Sequence, residues 1–248
     1  VAASEVGGVS RLNQLILPVD GKSHENPPEW HEQGFLTFRF YVFGEWVQVT
    51  VDTLIPCGRD RRPLFASSKD PRELWAPFLE KAYAKLHRSY AAIEGGSLTS
   101  ALVDLTGGFA EEIDLSSAEE QEGRGKLWRR LMRYQKLGYL MGCAVTVDGG
   151  RETMDKTPEN LMKNHAYGML GLYEQKLSLV EGEKLSLVQV RNPWGQGEWT
   201  GAWSDQSAEW KTAAGEYAIE QLDYQFLDDG TFFMDFASFA SHMTSIYV

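Results

Sequence analysis

Two cysteines in 248 residues, Cys57 and Cys143, are too few to staple a chain of this size and exclude a disulfide scaffold. Their scarcity suits a reducing, cytoplasmic setting. No apolar run approaches the roughly 18 residues of a membrane-spanning helix. No membrane contact is therefore expected of this segment itself, although missing flanking regions could tether it. Positive charge is also short: 24 Lys and Arg stand against 35 Asp and Glu, a formal charge of −11. A general nucleic-acid binder needs a basic face to displace phosphate counterions, so nucleic acid is excluded as a partner. Low-complexity segments and internal repeats are absent as well. What the chain does hold is 43% apolar and 12% aromatic residues, which excludes intrinsic disorder. A chain this long can bury roughly three quarters of its unfolded surface, as one large domain or two modest ones.

Neither end reads as a natural terminus. Val1-Ala2-Ala3-Ser4-Glu5-Val6 reads as the inside of a helix without a cap, and Thr244–Val248 as a strand cut short. Both ends are expected to continue in a longer parent.

Residues 1–18 are expected to be helical, and the polar, Pro27-Pro28-bearing stretch 22–33 a loop. Leu36, Phe38, Phe40 and Val42 alternate with polar residues. After Gly44-Glu45 so do Val47, Val49 and Val51, which predicts a β-hairpin. A loop over 53–71 leads to a helix from Glu73 to about Tyr90, with Leu74, Phe78, Leu79, Ala82 and Leu86 at helical spacing. A short helix over Thr99–Leu105 precedes Gly107-Gly108, the best hinge between two halves. Beyond an acidic stretch, Glu111–Asp114, a helix is predicted over Gly125–Leu137. Strands follow at Tyr139–Thr146, Ala166–Tyr173, Lys184–Arg191 and Phe232–Met234, and a helix at Phe236–Met243. A mostly helical first half and a mostly strand second half read as α+β in two lobes.

Three features carry possible chemistry. His165 opens an apolar strand after Lys163-Asn164, a rim position that suits proton transfer. A plain strand-end histidine is the competing reading. The other histidines lie in a polar loop (His24, His31) or on predicted helices (His87, His242). Second, the strand Val188–Arg191 runs into Asn192-Pro193-Trp194-Gly195. Pro193 biases Asn192 to an extended backbone, from which its amide could orient a histidine ring on a neighbouring strand end. A Trp two residues on could shield that bond. A simple turn explains the motif equally well. Third, four Trp fall within 17 residues (194, 199, 203 and 210), which usually means packing. Glu198, Asp205 and Asp228-Asp229-Gly230 could offer oxygens to Ca²⁺, or form a solvated acidic face. No EF-hand loop, zinc spacing or phosphate-cradling loop is present.

Taken in order, Gly44-Glu45-Trp46-Val47, Glu73-Leu74-Trp75, Leu79-Glu80-Lys81-Ala82-Tyr83-Ala84-Lys85, Gly95-Gly96, Thr106-Gly107-Gly108, Gly142-Cys143, Asn164-His165-Ala166-Tyr167 and Arg191-Asn192-Pro193-Trp194-Gly195 with Glu198-Trp199-Thr200-Gly201 resemble the calpain cysteine-protease core. The set spans nearly the whole chain. Leu102-Val103-Asp104-Leu105 and Ser245-Ile246-Tyr247 look nearest to the membrane-anchored calpains of plants.

The resemblance implies a papain-like α+β core: a mainly helical first lobe over 1–107, incomplete at its N-terminus, and a mainly antiparallel-β second lobe over 108–248, closing on a cleft under Ca²⁺ control. It places the catalytic His and Asn on His165 and Asn192 and the shielding Trp on Trp194. Regulatory Ca²⁺ ligands fall on Glu73, and on Glu198, Asp205, Asp229 and the carbonyl of Leu227. The expected partners are protein substrates cleaved in exposed loops. Two departures follow. The family's nucleophilic Cys, with the oxyanion-hole Gln before it, belongs just upstream of residue 1, so the chain as given is expected to be inactive. Neither Cys57 nor Cys143 has the setting of a thiolate. The second-lobe Ca²⁺ loop also has Thr231 where the family has an acid. The rival readings are a non-enzymatic calpain-like module that binds Ca²⁺ or partners, and a purely structural Ca²⁺-binding module.

Overall fold

Alternating side chains on a strand point to opposite faces, so an apolar residue at every second position forces one face inward. Leu36, Phe38 and Phe40 obey this and are 3%, 0% and 0% exposed, as do Val49 and Val51 opposite. In a computed structural model of the chain they lie on β4 (Phe35–Val42) and β5 (Glu45–Asp52), paired antiparallel with Phe38 opposite Val49. The turn between them has Phe43 and Gly44 both at positive φ (52° and 87°), the two-residue geometry that matches strand twist. The structure describes residues 5–6, 9–10, 14–17, 34–68, 74–117, 123–147, 155–176 and 184–248. These fall into two compact units, one ending at Phe109 and the other running from Ala110 to Val248.

In the first unit, β3 (Ile16–Leu17) extends the hairpin sheet beside β4. Helix α1 (Trp75–Leu86) buries Phe78, Leu79 and Ala82 in the same apolar cluster as Phe38 and Phe40. Pro77 is tolerated because it sits in the first turn, where no N–H is needed. The helix stops four residues short of the predicted Tyr90. His87 closes it, and Tyr90–Ile93 forms a separate 3₁₀ turn capped by the Ser89 hydroxyl. Helix α2 (Leu98–Thr106) follows, capped by Ser97. The helix expected over 1–18 does not form as such. Its described residues include two short strands, β1 (Glu5–Val6) and β2 (Val9–Ser10), that pair with each other. The Gly7-Gly8 pair between them in the sequence disfavours a helix. The predicted loop over 22–33 lies outside the described residues.

The second unit is a six-stranded antiparallel sheet in the order β10-β9-β8-β7-β11-β6. Its strands are β6 (Glu112–Asp114), β7 (Met141–Val145), β8 (His165–Lys176), β9 (Lys184–Arg191), β10 (Thr231–Asp235) and β11 (Ser245–Tyr247). Both faces are covered. Val188, Val190, Phe232 and Met234 point into a large cluster with Leu127, Trp128 and Leu131 of α3 (Arg124–Lys136) and Phe236 and Phe239 of α5 (Phe236–His242). Leu185, Leu187 and Phe233 point the other way, against Trp203, Trp210 and Ala218 of α4 (Ala213–Leu222). β10, although the outermost strand beside β9, is buried on both faces and reads accordingly as the apolar run Phe232-Phe233-Met234. Besides a 3₁₀ turn at Ala208–Lys211, β6 and α4 were not foreseen. β6 carries one buried side chain, Ile113, between two acids. α4 opens with Gly215 in its first turn, a poor helix former, and is held by the Thr212 hydroxyl accepting from Gly215 N–H. The fold is α+β. Among the described residues no helix is long and apolar enough to cross a membrane.

Candidate active site

Antiparallel pairing carries the start of β8 to the end of β9, with Gly168 opposite Arg191. His165, the first residue of β8, and Asn192, directly after β9, therefore meet where these two neighbouring strands end. His165 Nε2 lies 2.9 Å from Asn192 Oδ1. Both residues are buried, at 5% and 0% exposure. Asn164 enters the strand at positive φ (51°), and its Oδ1 accepts from Val147 N–H, which pins the backbone before the histidine.

The rest of Asn192 explains the orientation of its amide. Its Nδ2 donates to the Gln196 carbonyl at 2.7 Å and the Gly197 carbonyl at 3.4 Å. Its Oδ1 accepts from Trp194 N–H at 3.0 Å. Flipping the amide would set its one acceptor against two carbonyls and its donor against the Trp194 N–H, so the neighbours dictate one orientation. Oδ1 can only accept; the hydrogen in the bond to His165 must therefore reside on Nε2. In the neutral ring the lone pair then belongs to Nδ1, the nitrogen that can take a proton. Asn192 is anchored by its own backbone too, with its N–H on the Gly230 carbonyl (2.7 Å) and its carbonyl accepting from Gly195 N–H (3.0 Å).

Two aromatics bracket the imidazole. The Trp194 ring lies 4.3 Å away, centroid to centroid, and the Tyr167 ring meets it edge-on at 4.9 Å. Trp194 is 41% exposed, so it covers the His–Asn bond from the solvent side. Tyr167 is buried; its hydroxyl accepts from Met162 N–H, and burial pushes its phenol up to about 12. It enters this environment as a neutral ring. The other Trp of the cluster, Trp199, Trp203 and Trp210, are packing residues, each buried.

The acidic residues gather next to these strand ends. Glu198 Oε1 accepts from Asp229 N–H (3.0 Å) and Gly230 N–H (2.8 Å). Asp229 Oδ1 accepts from Thr231 N–H, and the Leu227 carbonyl from Asp229 N–H. Asp205 takes a 2.6 Å hydrogen bond from the Tyr224 hydroxyl. Its carboxyl is raised to about 6, first by burial and then by the charges of Glu198, Asp229 and Asp228. An all-oxygen, mutually repelling set has the chemistry that suits a hard cation. Its oxygens, however, face backbone N–H groups, a tyrosine and, 3.8 Å from Asp229 Oδ2, the Arg191 guanidinium. Among the described residues no group of three or more His, Cys, Asp and Glu side chains converges as a metal cage. Glu73 lies outside the described residues, as do His24 and His31. His87 sits 3.7 Å from Asp104, and His242 3.7 Å from Glu159, both away from Asn192 in the chain's hydrogen bonding.

Neither cysteine resembles an activated thiol. Cys143 lies in the middle of β7, fully buried, and burial pushes its thiol far above the usual range. Cys57 is exposed, with its Sγ–H directed to the Ile55 carbonyl at 3.3 Å. What sequence reading missed is the support of Asn192: the carbonyls of Gln196, Gly197 and Gly230. Backbone carbonyls are the same in every residue and leave no signature beyond the glycines themselves.

Comparison with known proteins agrees with this architecture. The profile of the calpain family cysteine proteases matches residues 8–248. The chain is 40% identical over 243 residues to the Calpain-type cysteine protease DEK1 of Arabidopsis thaliana, and 43% identical over 243 residues to the Calpain-type cysteine protease ADL1 of rice. Each alignment covers 97% of this chain and 10% of the relative. Human Calpain-9 is 38% identical over 215 residues, 87% of this chain and 30% of that protein. The chain thus spans a tenth to about a third of the length of these relatives. It belongs to the calpain family of cysteine proteases.

Proposed function

We propose that this chain is the part of a calcium-dependent cysteine endopeptidase that carries the histidine and asparagine of a Cys–His–Asn set. The observation that carries the reading is the 2.9 Å bond from His165 Nε2 to an Asn192 amide whose orientation its neighbours dictate. The thiol comes from a cysteine outside these 248 residues, since Cys143 is buried within β7 and the Cys57 Sγ–H is directed to the Ile55 carbonyl. His165 takes the thiol proton at Nδ1. The thiolate forms an S–C bond to the peptide carbonyl carbon, and His165 returns the proton to the departing amine as the C–N bond breaks. Water, deprotonated by the same nitrogen, then releases the acyl group and the thiol. Asn192 holds the ring in one tautomer and stabilises the imidazolium through Nε2–H. Trp194 keeps water off that bond. The substrates are exposed loops of cytoplasmic proteins.

Glu198, Asp205, Asp229 and the Leu227 carbonyl are the groups that would hold Ca²⁺ in this unit, and Glu73 in the other. The bound cation would supply positive charge that offsets the crowded carboxylates. Thr231 contributes no charge to that loop, so the site is weak.

The test is a peptidase assay on the parent protein extended upstream of Val1, with Ca²⁺ or a chelator. Calcium-dependent cleavage that His165→Ala abolishes is the expected result. An uninterrupted upstream frame with another residue in place of the Cys, or cleavage unaffected by His165→Ala, overturns the reading. In the first of those outcomes the chain is a non-enzymatic module that binds Ca²⁺ or a partner.

A further inference from the structure

Asn192 is gripped from two directions. Its side-chain amide is held by the Gln196 and Gly197 carbonyls, and its backbone N–H by the Gly230 carbonyl. Glu198 joins the two grips. It directly follows Gly197 in the chain, and its Oε1 accepts from Gly230 N–H at 2.8 Å and Asp229 N–H at 3.0 Å. Its own carbonyl accepts from Asn160 Nδ2 at 2.7 Å. Asn160 lies on the loop that leads into His165, the loop whose Met162 N–H is held by Tyr167 beneath the imidazole. Glu198 therefore stands where three segments cross, and each of them carries a support of the His165–Asn192 pair.

We infer that Glu198 is a positioning residue for Asn192: its carboxylate clamps the 227–231 loop to the 192–198 loop and so keeps the amide oxygen on His165 Nε2 in the metal-free chain. One carboxylate oxygen accepting from two consecutive N–H groups is a charge-assisted clamp, stronger than a neutral bond. The clamp needs an oxygen at that reach; it does not need a cation. The inference rests on the reading of His165 and Asn192 as the working pair, and its test avoids peptidase activity, so the two can fail separately.

The experiment compares Glu198→Gln, Glu198→Asp and Glu198→Ala in the 248-residue chain with a chelator present. The readouts are the ring-nitrogen NMR signals of His165, which report its tautomer, and hydrogen exchange at His165 Nε2–H and Asn192 N–H. Gln keeps an oxygen at the same reach without the charge. Asp keeps the charge but retracts it by one C–C bond, about 1.5 Å. Glu198→Gln is expected to retain the single Nε2–H tautomer and, having lost only the charge, to exchange between the parent rate and that of the other two variants. Glu198→Ala and Glu198→Asp are expected to exchange both protons about tenfold faster, as loss of a hydrogen-bonded tie predicts. His87, which closes α1 in the first unit and packs on Tyr83, is the internal control and should not change. Parent-like exchange in the Ala and Asp variants overturns the inference, as does a Gln variant that behaves like them, or equal change at His87. If Glu198→Ala does not fold, the Asp and Gln pair decides alone.

Discussion

Gly230 carries Asn192. Its carbonyl accepts the Asn192 N–H at 2.7 Å, and at φ +84° a Cβ on it would stand 2.8 Å from the Asn192 carbonyl oxygen and 2.8 Å from Gly195 Cα. Those neighbours are backbone atoms, which cannot swing aside as a long side chain can. Gly230→Ala is accordingly expected to cost about 2 kcal/mol or more, from left-handed strain and the clash together. A urea titration should show a lower midpoint at unchanged slope. An unshifted midpoint would contradict the close approach.

Removing either partner of the buried pair separates chemistry from binding. In the parent enzyme bearing its cysteine, His165→Ala should lower kcat by about 10²–10⁴-fold, the usual worth of a positioned acid–base group. Asn192→Ala should lower kcat by a smaller factor and leave KM nearly unchanged, because the lost bond orients the ring and does not touch substrate. Steady-state kinetics on a quenched peptide checks both. A rise in KM alone would assign these residues to binding.

The two thiols should differ sharply in reactivity. Burial raises the Cys143 thiol and keeps reagents away, whereas Cys57 is exposed. Under native conditions alkylation is expected at Cys57 first, with Cys143 slower by at least about a hundredfold because it reacts only through local opening. Peptide mass spectrometry over a time course reads the ratio. Rapid labelling of Cys143 would place it nearer the surface than β7 allows.

Glu80 on α1 makes a pH-dependent contribution to the first unit. Burial raises its carboxyl above the ordinary range, against the lowering effect of its bond from Ala66 N–H at 2.8 Å. A raised acid stabilises the fold while protonated, and that stability is lost as pH rises through the raised value. Glu80→Gln mimics the protonated form and keeps an acceptor for Ala66. It should match the parent at about pH 4 and exceed it in stability at about pH 7, as denaturant melts at the two pH values would show. A Gln variant less stable at the higher pH would reverse the sign.

Much of the architecture was legible because it rests on periodicity. The hairpin β4–β5 follows from apolar residues at every second position, α1 from apolar residues three and four apart, and β9 from a strand-like run whose bounds the structure reproduces at Lys184–Arg191. The elements that escaped are those stabilised by partners rather than pattern. β6 has one apolar residue and exists by pairing with β11. α4 begins against its own propensity and is held by packing on Trp210 and by the Thr212 cap.

By itself, the sequence determined the α+β class, the family through an ordered set of motifs, and the identity of His165, Asn192 and Trp194 as residues of interest. Each of those residues alone was as well explained by a strand end or a turn. Tertiary structure decided what they do to one another. Antiparallel pairing of β8 with β9 closes a gap of 27 residues to a single hydrogen bond. Backbone carbonyls at 196 and 197, together with the Trp194 N–H, then set which way the amide faces and which ring nitrogen keeps its proton. The physical reason is that side-chain period is written residue by residue along the chain. Hydrogen-bond direction at a buried site is the joint property of backbone groups that every residue carries, and it exists only once distant segments are folded side by side.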